Sequence, residues 1–273
     1  MIKLLVTDMD GTCLNSQKEI SLANREAIRA LHAKGILVAL ATGRLDRSIR
    51  AYARELQLSL PIISCNGALV RDMNKGEIIF EAPLPQELCL RVLQTCRELE
   101  ATLHLSCEED MIITEEIYPR LKLLSDWNDT LTPENQFRLK LVRDIQEPVR
   151  RGIKVYKVIA WSRNSEFLRE LQGKLKAIPG VEAVQSEDVL LDIGVYGIDK
   201  GTAVARLAED LGLSPQEVMT IGDHDNDLGM VRYAGLGVAM ANGSPRLMEA
   251  ADYITGSNDE DGLAEAIWKF ILL

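Results

Sequence analysis

The sequence predicts an α/β fold: a parallel sheet covered by helices on both faces, interrupted by an inserted α+β domain. Three observations carry that expectation. Short apolar runs alternate with amphipathic stretches at both ends of the chain, the pattern of strand–helix units with buried strands. Several runs end abruptly in Asp, Thr or Gly, at the strand ends where open α/β sheets bind ligands. Between Pro83 and about Ile193 the texture changes to prolines, irregular segments and longer strands. The core is therefore assigned to residues 1–82 and 194–273, and the insert to 83–193.

The elements follow in order. Ile2–Thr7 reads as a buried strand. Ser21 caps a helix that runs to Lys34, where Gly35 stops it. Ile36–Ala41 is the second strand, followed by a helix from Asp46 to about Leu56, and Pro61–Ser64 is the third. Ala68–Val70 and Ile78–Phe80 flank Asp72-Met73-Asn74-Lys75-Gly76, a hairpin signal. In the insert, Pro83-Leu84-Pro85 opens a helix through about Leu99. Strands follow at Thr102–Leu105 and Met111–Thr114. The stretch Glu115–Lys140, broken by Pro119 and Pro133, reads as irregular. Strand Lys154–Trp161, helix Glu166–Ala177 and strands Val181–Gln185 and Val189–Ile193 complete the insert. The core resumes with a helix from Gly201 to Leu211, strand Val218–Ile221, helix Asp227–Ala234 and strand Leu236–Ala239. A helix near Pro245–Ala250, a strand at Tyr253-Ile254 and a helix from Gly262 to Phe270 end the chain.

Four segments carry candidate chemistry. Leu4-Leu5-Val6-Thr7-Asp8-Met9-Asp10-Gly11-Thr12 puts two aspartates at the end of a buried strand, where charge is costly unless it binds something. Carboxylates so placed can supply a nucleophile, an acid/base and a metal ligand; taken alone, they are equally a capped turn. Ile36–Ala41 ends in Thr42-Gly43-Arg44, where a hydroxyl and backbone N–H groups can hold phosphate oxygens; taken alone, it is a plain strand–helix turn. Lys200 opens a helix against the macrodipole, which favours an anion nearby; a solvated lysine is the plain alternative. Val218–Ile221 ends in Gly222-Asp223-His224-Asp225-Asn226-Asp227. Three carboxylates crowded there repel one another unless a cation sits among them.

In this order and spacing the four segments resemble the motifs of the haloacid dehalogenase-like phosphatase superfamily. Asn66-Gly67, Gly237-Val238-Ala239-Met240-Ala241-Asn242 and Asn258-Asp259-Glu260-Asp261-Gly262 resemble its Cof-type subfamily, whose members carry a large cap after the third core strand. The resemblance implies a Rossmann-like core and a magnesium-dependent phosphomonoesterase acting through an aspartyl-phosphate. Asp8 would be the nucleophile and Asp10 the acid/base. Lys200 would neutralise charge on Asp8 and the phosphoryl group. Thr42, Gly43 and Asn226 would bind phosphate or substrate. Mg²⁺ would be held by Asp8, the Asp10 backbone carbonyl, Asp223 and Asp227. The cap is expected to read the leaving group of a small phosphorylated metabolite. A phosphotransferase on the same core, or a phospho-sensor without turnover, are the rival readings; an acid/base such as Asp10 has no use in the sensor.

Composition narrows the partners. The 273 residues carry a formal net charge of −10, which disfavours nucleic acid and anionic membranes. Five cysteines form no C-x-x-C pair, as expected for reduced thiols in a cytoplasmic protein. No apolar run approaches a membrane span and the start does not read as a signal peptide. Gly235-Leu236-Gly237 lacks the third glycine of a dinucleotide fingerprint, and Lys200-Gly201-Thr202 is not a Walker A loop. His32 and His104 lack neighbours at metal-ligand spacing. His224, Tyr118 and Trp127 are weaker candidates for substrate contact.

Overall fold

The computed structural model describes every residue except Met73, Glu109 and residues 115–117, together with all side chains of those residues except Arg120 and Glu134. The strands are β1 (Leu4–Thr7), β2 (Leu37–Leu40), β3 (Ile62–Ser64), β4 (Leu69–Arg71), β5 (Ile78–Glu81), β6 (Thr102–Cys107), β7 (Asp110–Ile113), β8 (Arg138–Leu141), β9 (Val155–Trp161), β10 (Val181–Glu187), β11 (Leu190–Val195), β12 (Val218–Gly222), β13 (Leu236–Ala239) and β14 (Tyr253–Ile254). The chain divides into two compact units. One holds Met1–Gly43, Tyr52–Ile79 and Asp199–Leu273; the other holds Arg44–Ala51 and Phe80–Ile198. The second unit thus extends a few residues beyond 83–193 at both ends. It also takes in Arg44–Ala51, which no composition signal separates from the core.

The first unit is built on a parallel sheet in the order β14-β13-β12-β1-β2. β1 is fully buried, as its unbroken Leu-Leu-Val run requires of a strand covered on both faces. A single parallel bridge from Ala41 to Ile63 brings β3 alongside β2, and β3 then turns antiparallel onto β4. The chain leaves β1 towards β2 and returns through β12 towards β13 and β14. Neighbouring strands β1 and β12 therefore flank the point where strand order reverses, the place such sheets bind ligands.

Helix Leu22–Ala33 is capped by the Ser21 hydroxyl, which accepts from Asn24 N at 3.1 Å. Helix Lys200–Asp210 is capped by Asp199, whose carboxylate accepts from Thr202 N at 2.7 Å. Gly201 lets that helix touch the next one: a Cβ there would lie 2.3 Å from the backbone carbon of Gly229. The expected helix from Asp46 to Leu56 is a 3-10 turn, Asp46–Ile49, leading into helix Arg50–Glu55. The last helix, Gly262–Ile267, widens into a π-helical turn at Trp268–Leu272.

The second unit has a six-stranded sheet in the order β10-β11-β9-β6-β7-β8, antiparallel except for β7 with β8. Alternation sorts its side chains. Leu103, Leu105, Val158, Ala160, Leu191 and Ile193 pack with Val92, Leu93, Leu168 and Leu171 of helices Gln86–Glu98 and Ser165–Lys176. The alternate residues carry buried polar groups. Lys157 Nζ pairs with Asp192 at 2.8 Å. Tyr118 hydrogen-bonds His104 Nδ1 at 2.8 Å and stacks on both His104 and Trp161.

The stretch Glu115–Lys140, expected to be irregular, is mostly regular structure from Pro119 onward. Its first residues, 115–117, lie outside the described residues, as does Met73 of the hairpin. From Pro119 onward it forms helix Pro119–Asp129, a 3-10 turn at Pro133–Asn135 and β8. Both prolines stand at the first position of a helical turn, where the missing N–H costs nothing. The Asn128 side chain then bonds both backbone groups of Phe137, fixing the return into β8. Helix Gln146–Arg150 carried no sequence signal long enough to be read.

The glycines provide a stability test. Gly201→Ala should destabilise the protein by about 1–3 kcal/mol, because the new methyl meets rigid backbone. Gly173→Ala lies in a helix with nothing within 4 Å of the position the added methyl would take and should be neutral or stabilising by up to about 1 kcal/mol. Urea unfolding of the two variants checks the opposite signs.

Candidate active site

Asp8 follows β1 directly, and its backbone N–H bonds Ile221 O of β12 at 3.0 Å. Lys200 opens its helix with the ammonium turned inward, 1% exposed. Its Nζ lies 2.6 Å from Asp8 Oδ1 and 2.6 Å from Asp227 Oδ1. The other oxygen of Asp227 accepts from the backbone N–H groups of Asp223 and His224, at 3.0 and 3.1 Å. Asp223 accepts from the Thr12 hydroxyl at 3.1 Å. Glycines make these approaches fit. A Cβ at Gly11, which has φ +76°, would lie 2.2 Å from Asp223 Oδ2, and one at Gly222 would lie 2.4 Å from Asp227 Cγ.

Oxygens of Asp8, Asp223 and Asp227 all lie within 4.8 Å of one another. Of the three acids crowded after β12, Asp223 and Asp227 join Asp8. Asp225 turns to Ser244 Oγ at 2.7 Å and Arg246 at 3.3 Å. Asp10 is partly exposed, and its carboxylate meets Lys18 Nζ at 2.9 Å. Thr42 is buried at the end of β2, with its N–H on Ile63 O and its carbonyl accepting from Asn66 N. Gly43 follows it. Asn226 donates to Asn66 Oδ1 at 3.1 Å, so its amide lies with the Cys65–Gly67 turn. There Cys65 and Asn66 both have positive φ, 50° and 56°, a strained conformation of the kind kept at functional sites.

The charges explain one another. Burial is the main influence on Asp8 and pushes its carboxyl up to about 7; Lys200 opposes this, and the charges of Asp227 and Asp10 add to it. Asp223 is pushed well above the usual carboxylate range by burial, then by Asp8 and Asp227. Burial alone would lower Lys200, but Asp227 and Asp8 hold it above its ordinary value. The protein thus presents one permanent buried cation to three acids. An all-oxygen, acid-rich set with two carboxylates whose ionisation is opposed suits a hard divalent cation such as Mg²⁺.

Two groups of residues carried no role in the sequence. Lys18 sits at φ +63° in a turn, and nothing in its neighbourhood marks it as a partner of Asp10. Asn242, Asn258 and Asp259 stood in motifs without an assigned role; their side chains reach the loop after Asp10, Asn242 Nδ2 meeting Gly11 O at 2.8 Å. All five cysteines are buried thiols outside any disulfide. Among the described residues no helix is long and apolar enough to cross a membrane.

The chain matches the family model described as haloacid dehalogenase-like hydrolase over residues 5–267. It is 32% identical to the 5-amino-6-(5-phospho-D-ribitylamino)uracil phosphatase YcsE of Bacillus subtilis, over 99% of this chain and 96% of that protein. It is 26% identical to the pyridoxal phosphate phosphatase YbhA of Escherichia coli, over 99% of each. Among solved structures it is similar to a haloacid dehalogenase-like hydrolase from Bacteroides thetaiotaomicron, with TM-score 0.82, 30% identity and coverage of 99% of this chain and 100% of that one.

The raised Asp8 and Asp223 give the metal-free protein a pH signature. A carboxyl whose folded value exceeds its unfolded one stabilises the fold at low pH, and that contribution is lost as pH rises through the folded value, here about 7 for Asp8. Metal-stripped protein should therefore show a Tm several degrees lower at about pH 8 than at about pH 5.5, each raised carboxyl losing ~1.4 kcal/mol per pH unit between its unfolded and folded values. Added Mg²⁺ should raise Tm more at the higher pH. Thermal denaturation with and without EDTA makes the measurement, and a larger Mg²⁺ effect at the lower pH contradicts it.

Proposed function

We propose a reaction for this protein on the premise that the chain belongs to the haloacid dehalogenase-like hydrolase family. It is a phosphoric monoester hydrolase, and its substrates are small soluble phosphomonoesters. The observation that carries the reading is the buried Asp8 carboxylate, 2.6 Å from the Lys200 ammonium, with Asp10 two residues further along the same loop. Phosphoryl transfer is mostly positioning and charge stabilisation, and this site supplies both.

In the first half-reaction an Asp8 oxygen attacks phosphorus in line. The bond to the leaving oxygen breaks, and Asp10 delivers a proton to that oxygen. An acyl phosphate now links Asp8 to the phosphoryl group. In the second half-reaction Asp10 takes a proton from water as the water oxygen attacks phosphorus. The bond to Asp8 breaks, inorganic phosphate leaves and both aspartates return to their starting state. Lys200 holds Asp8 in place and neutralises charge beside it. Thr42 and Gly43, at the end of β2, offer a hydroxyl and a backbone N–H to phosphate oxygens. Asn226 contributes through its bond to Asn66 on the same rim. Asp8, Asp223, Asp227 and the Asp10 carbonyl would hold Mg²⁺, which supplies charge neutralisation of the phosphoryl oxygens when bound.

The relatives act on phosphates carried by different groups, a ribitylaminouracil in one and pyridoxal in the other. Full-length similarity combined with different leaving groups supports giving the choice of substrate to the insert rather than to the motif-bearing core. In the second unit the Arg44 guanidinium lies over the Trp127 ring, 5.9 Å from its centroid, a cation–π contact within the insert.

Asp8→Asn should abolish turnover and labelling of the protein by phosphate. Asp10→Asn should keep substrate binding but lower kcat about 10²–10⁴-fold on alkyl phosphates. EDTA should remove activity and Mg²⁺ restore it. Full turnover by Asp8→Asn, or by rigorously metal-free protein, rules the mechanism out. A panel of sugar, nucleotide, flavin-related and pyridoxal phosphates identifies the substrate. Trp127→Ala should reorder kcat/KM across that panel while changing a small aryl phosphate about threefold or less, since the loss falls on leaving-group contacts. An equal factor for every substrate contradicts a role for the insert in selection.

A further inference from the structure

Two motifs noted in the sequence have no part in the chemistry above: the asparagine that ends Gly237–Asn242, and Asn258–Gly262. In the folded chain both converge on one target, the loop Gly11–Ser16 that follows Asp10. Asn242 Nδ2 donates to Gly11 O at 2.8 Å. Asn258 Nδ2 donates to Leu14 O at 2.9 Å. Asp259 accepts from both Ser16 N, at 2.8 Å, and Ser16 Oγ, at 2.6 Å. Cys13 O accepts at 3.2 Å from Asn24 Nδ2, and the Oδ1 of that buried side chain accepts from Ala264 N. The grip is itself braced, since Asn258 N donates to Asn242 Oδ1 at 2.9 Å. Gly262 packs on Gly256 with no room for a Cβ, and Thr255 Oγ1 donates to Gly262 O.

The held loop is tied to Asp10 twice. Leu14, whose carbonyl Asn258 holds, bonds Met9 O through its own N–H and pairs with Asp10. The turn anchored at Ser16 carries Lys18, whose ammonium meets the Asp10 carboxylate at 2.9 Å. The paired donors on Asp259 also lower that carboxyl below its ordinary value, side-chain bond first and backbone bond second, as expected of acceptors held in place.

We propose that Asn242, Asn258 and Asp259 are positioning residues: a clamp, formed by the loop after β13 and the turn between β14 and the last helix, that aims Asp10 at the leaving oxygen. This rests on the phosphatase reading and adds a device to it. Small misplacements of an acid/base are costly, since about 1 Å can cost 10²-fold. The step most sensitive to aim is protonation of a poor leaving group. An aryl oxide departs with little help from an acid, whereas an alkoxide does not.

The test compares kcat/KM, which reports the first phosphoryl transfer, for an alkyl phosphate and for p-nitrophenyl phosphate in Mg²⁺-loaded protein. Asn258→Ala and Asp259→Ala should lose about tenfold or more on the alkyl ester and about threefold or less on the aryl ester. Asp259→Asn should recover the alkyl activity, because an amide can still accept from Ser16 N and donate to Ser16 Oγ. Asn258→Asp should not recover it, because it loses the donor to Leu14 O. Asp259 lies on the surface, so its variants keep the test open even if Asn258→Ala fails to fold, which circular dichroism and Tm report. Equal losses on both esters, or no loss on either, overturn the clamp while leaving the phosphatase reading intact. Wild-type protein inactive on both esters and on the metabolite panel overturns the phosphatase reading and the clamp with it.

Discussion

The site depends on one buried ammonium. Lys200 has lost nearly all contact with water and keeps its charge because Asp8 and Asp227 each stand 2.6 Å away. Burial of a single charge costs several kcal/mol, and recovery of that cost needs close partners with their remaining lone pairs satisfied. Asp227 meets this demand with two backbone N–H groups on its second oxygen. Asp8 bonds the ammonium through one oxygen, and burial still pushes its carboxyl up to about 7 against the pull of Lys200. The cluster is thus under electrostatic tension among its acids, relieved in part by the lysine and able to be relieved further by a divalent cation. The Gly201–Gly229 contact, the Asp199 cap and the Gly222 approach all bring these three side chains to one point.

The two units divide labour in their architecture. The parallel sheet places functional side chains at strand ends and keeps its central strands buried, their threonine hydroxyls bonded to backbone carbonyls. The antiparallel sheet of the second unit keeps one apolar face for its helices and buries paired polar groups on the other, among them Lys157 with Asp192 and His104 with Tyr118.

Much of the core was legible because β1, β2 and β12 announced themselves twice, by a mostly apolar run and by the Asp, Thr or Gly at its end. Asp8, Asp223 and Asp227 were found because charge at the end of a buried strand has few explanations, and Lys200 because a lysine that opens a helix opposes its macrodipole. Residues 119–135 were not legible, because prolines that open helical turns look like prolines that break them, and the helix that Pro119 opens is only weakly amphipathic. Lys18 left no trace in the sequence, since its contact with Asp10 depends on a left-handed backbone at the turn rather than on spacing. Asn242, Asn258 and Asp259 were visible as motifs but mute as to role. Their partners lie in a loop more than two hundred residues earlier and, apart from the Ser16 hydroxyl, are backbone groups, which write nothing into the partner's sequence.

That separation bears on how the molecule comes to exist. Asp8 and Lys200 are 192 positions apart, yet β1 and β12 are adjacent and in register. The central strand pair therefore closes only after the entire second unit has emerged from the chain. Closing an unstructured loop of that length is slow and entropically expensive, the cost rising with the logarithm of loop length. A second unit with its own hydrophobic core can fold first and draw its two ends together, turning a long loop into a short one. The insert would then serve as a folding template for the core, and a weakened insert would cost yield of native enzyme before it altered any property of the enzyme that did fold.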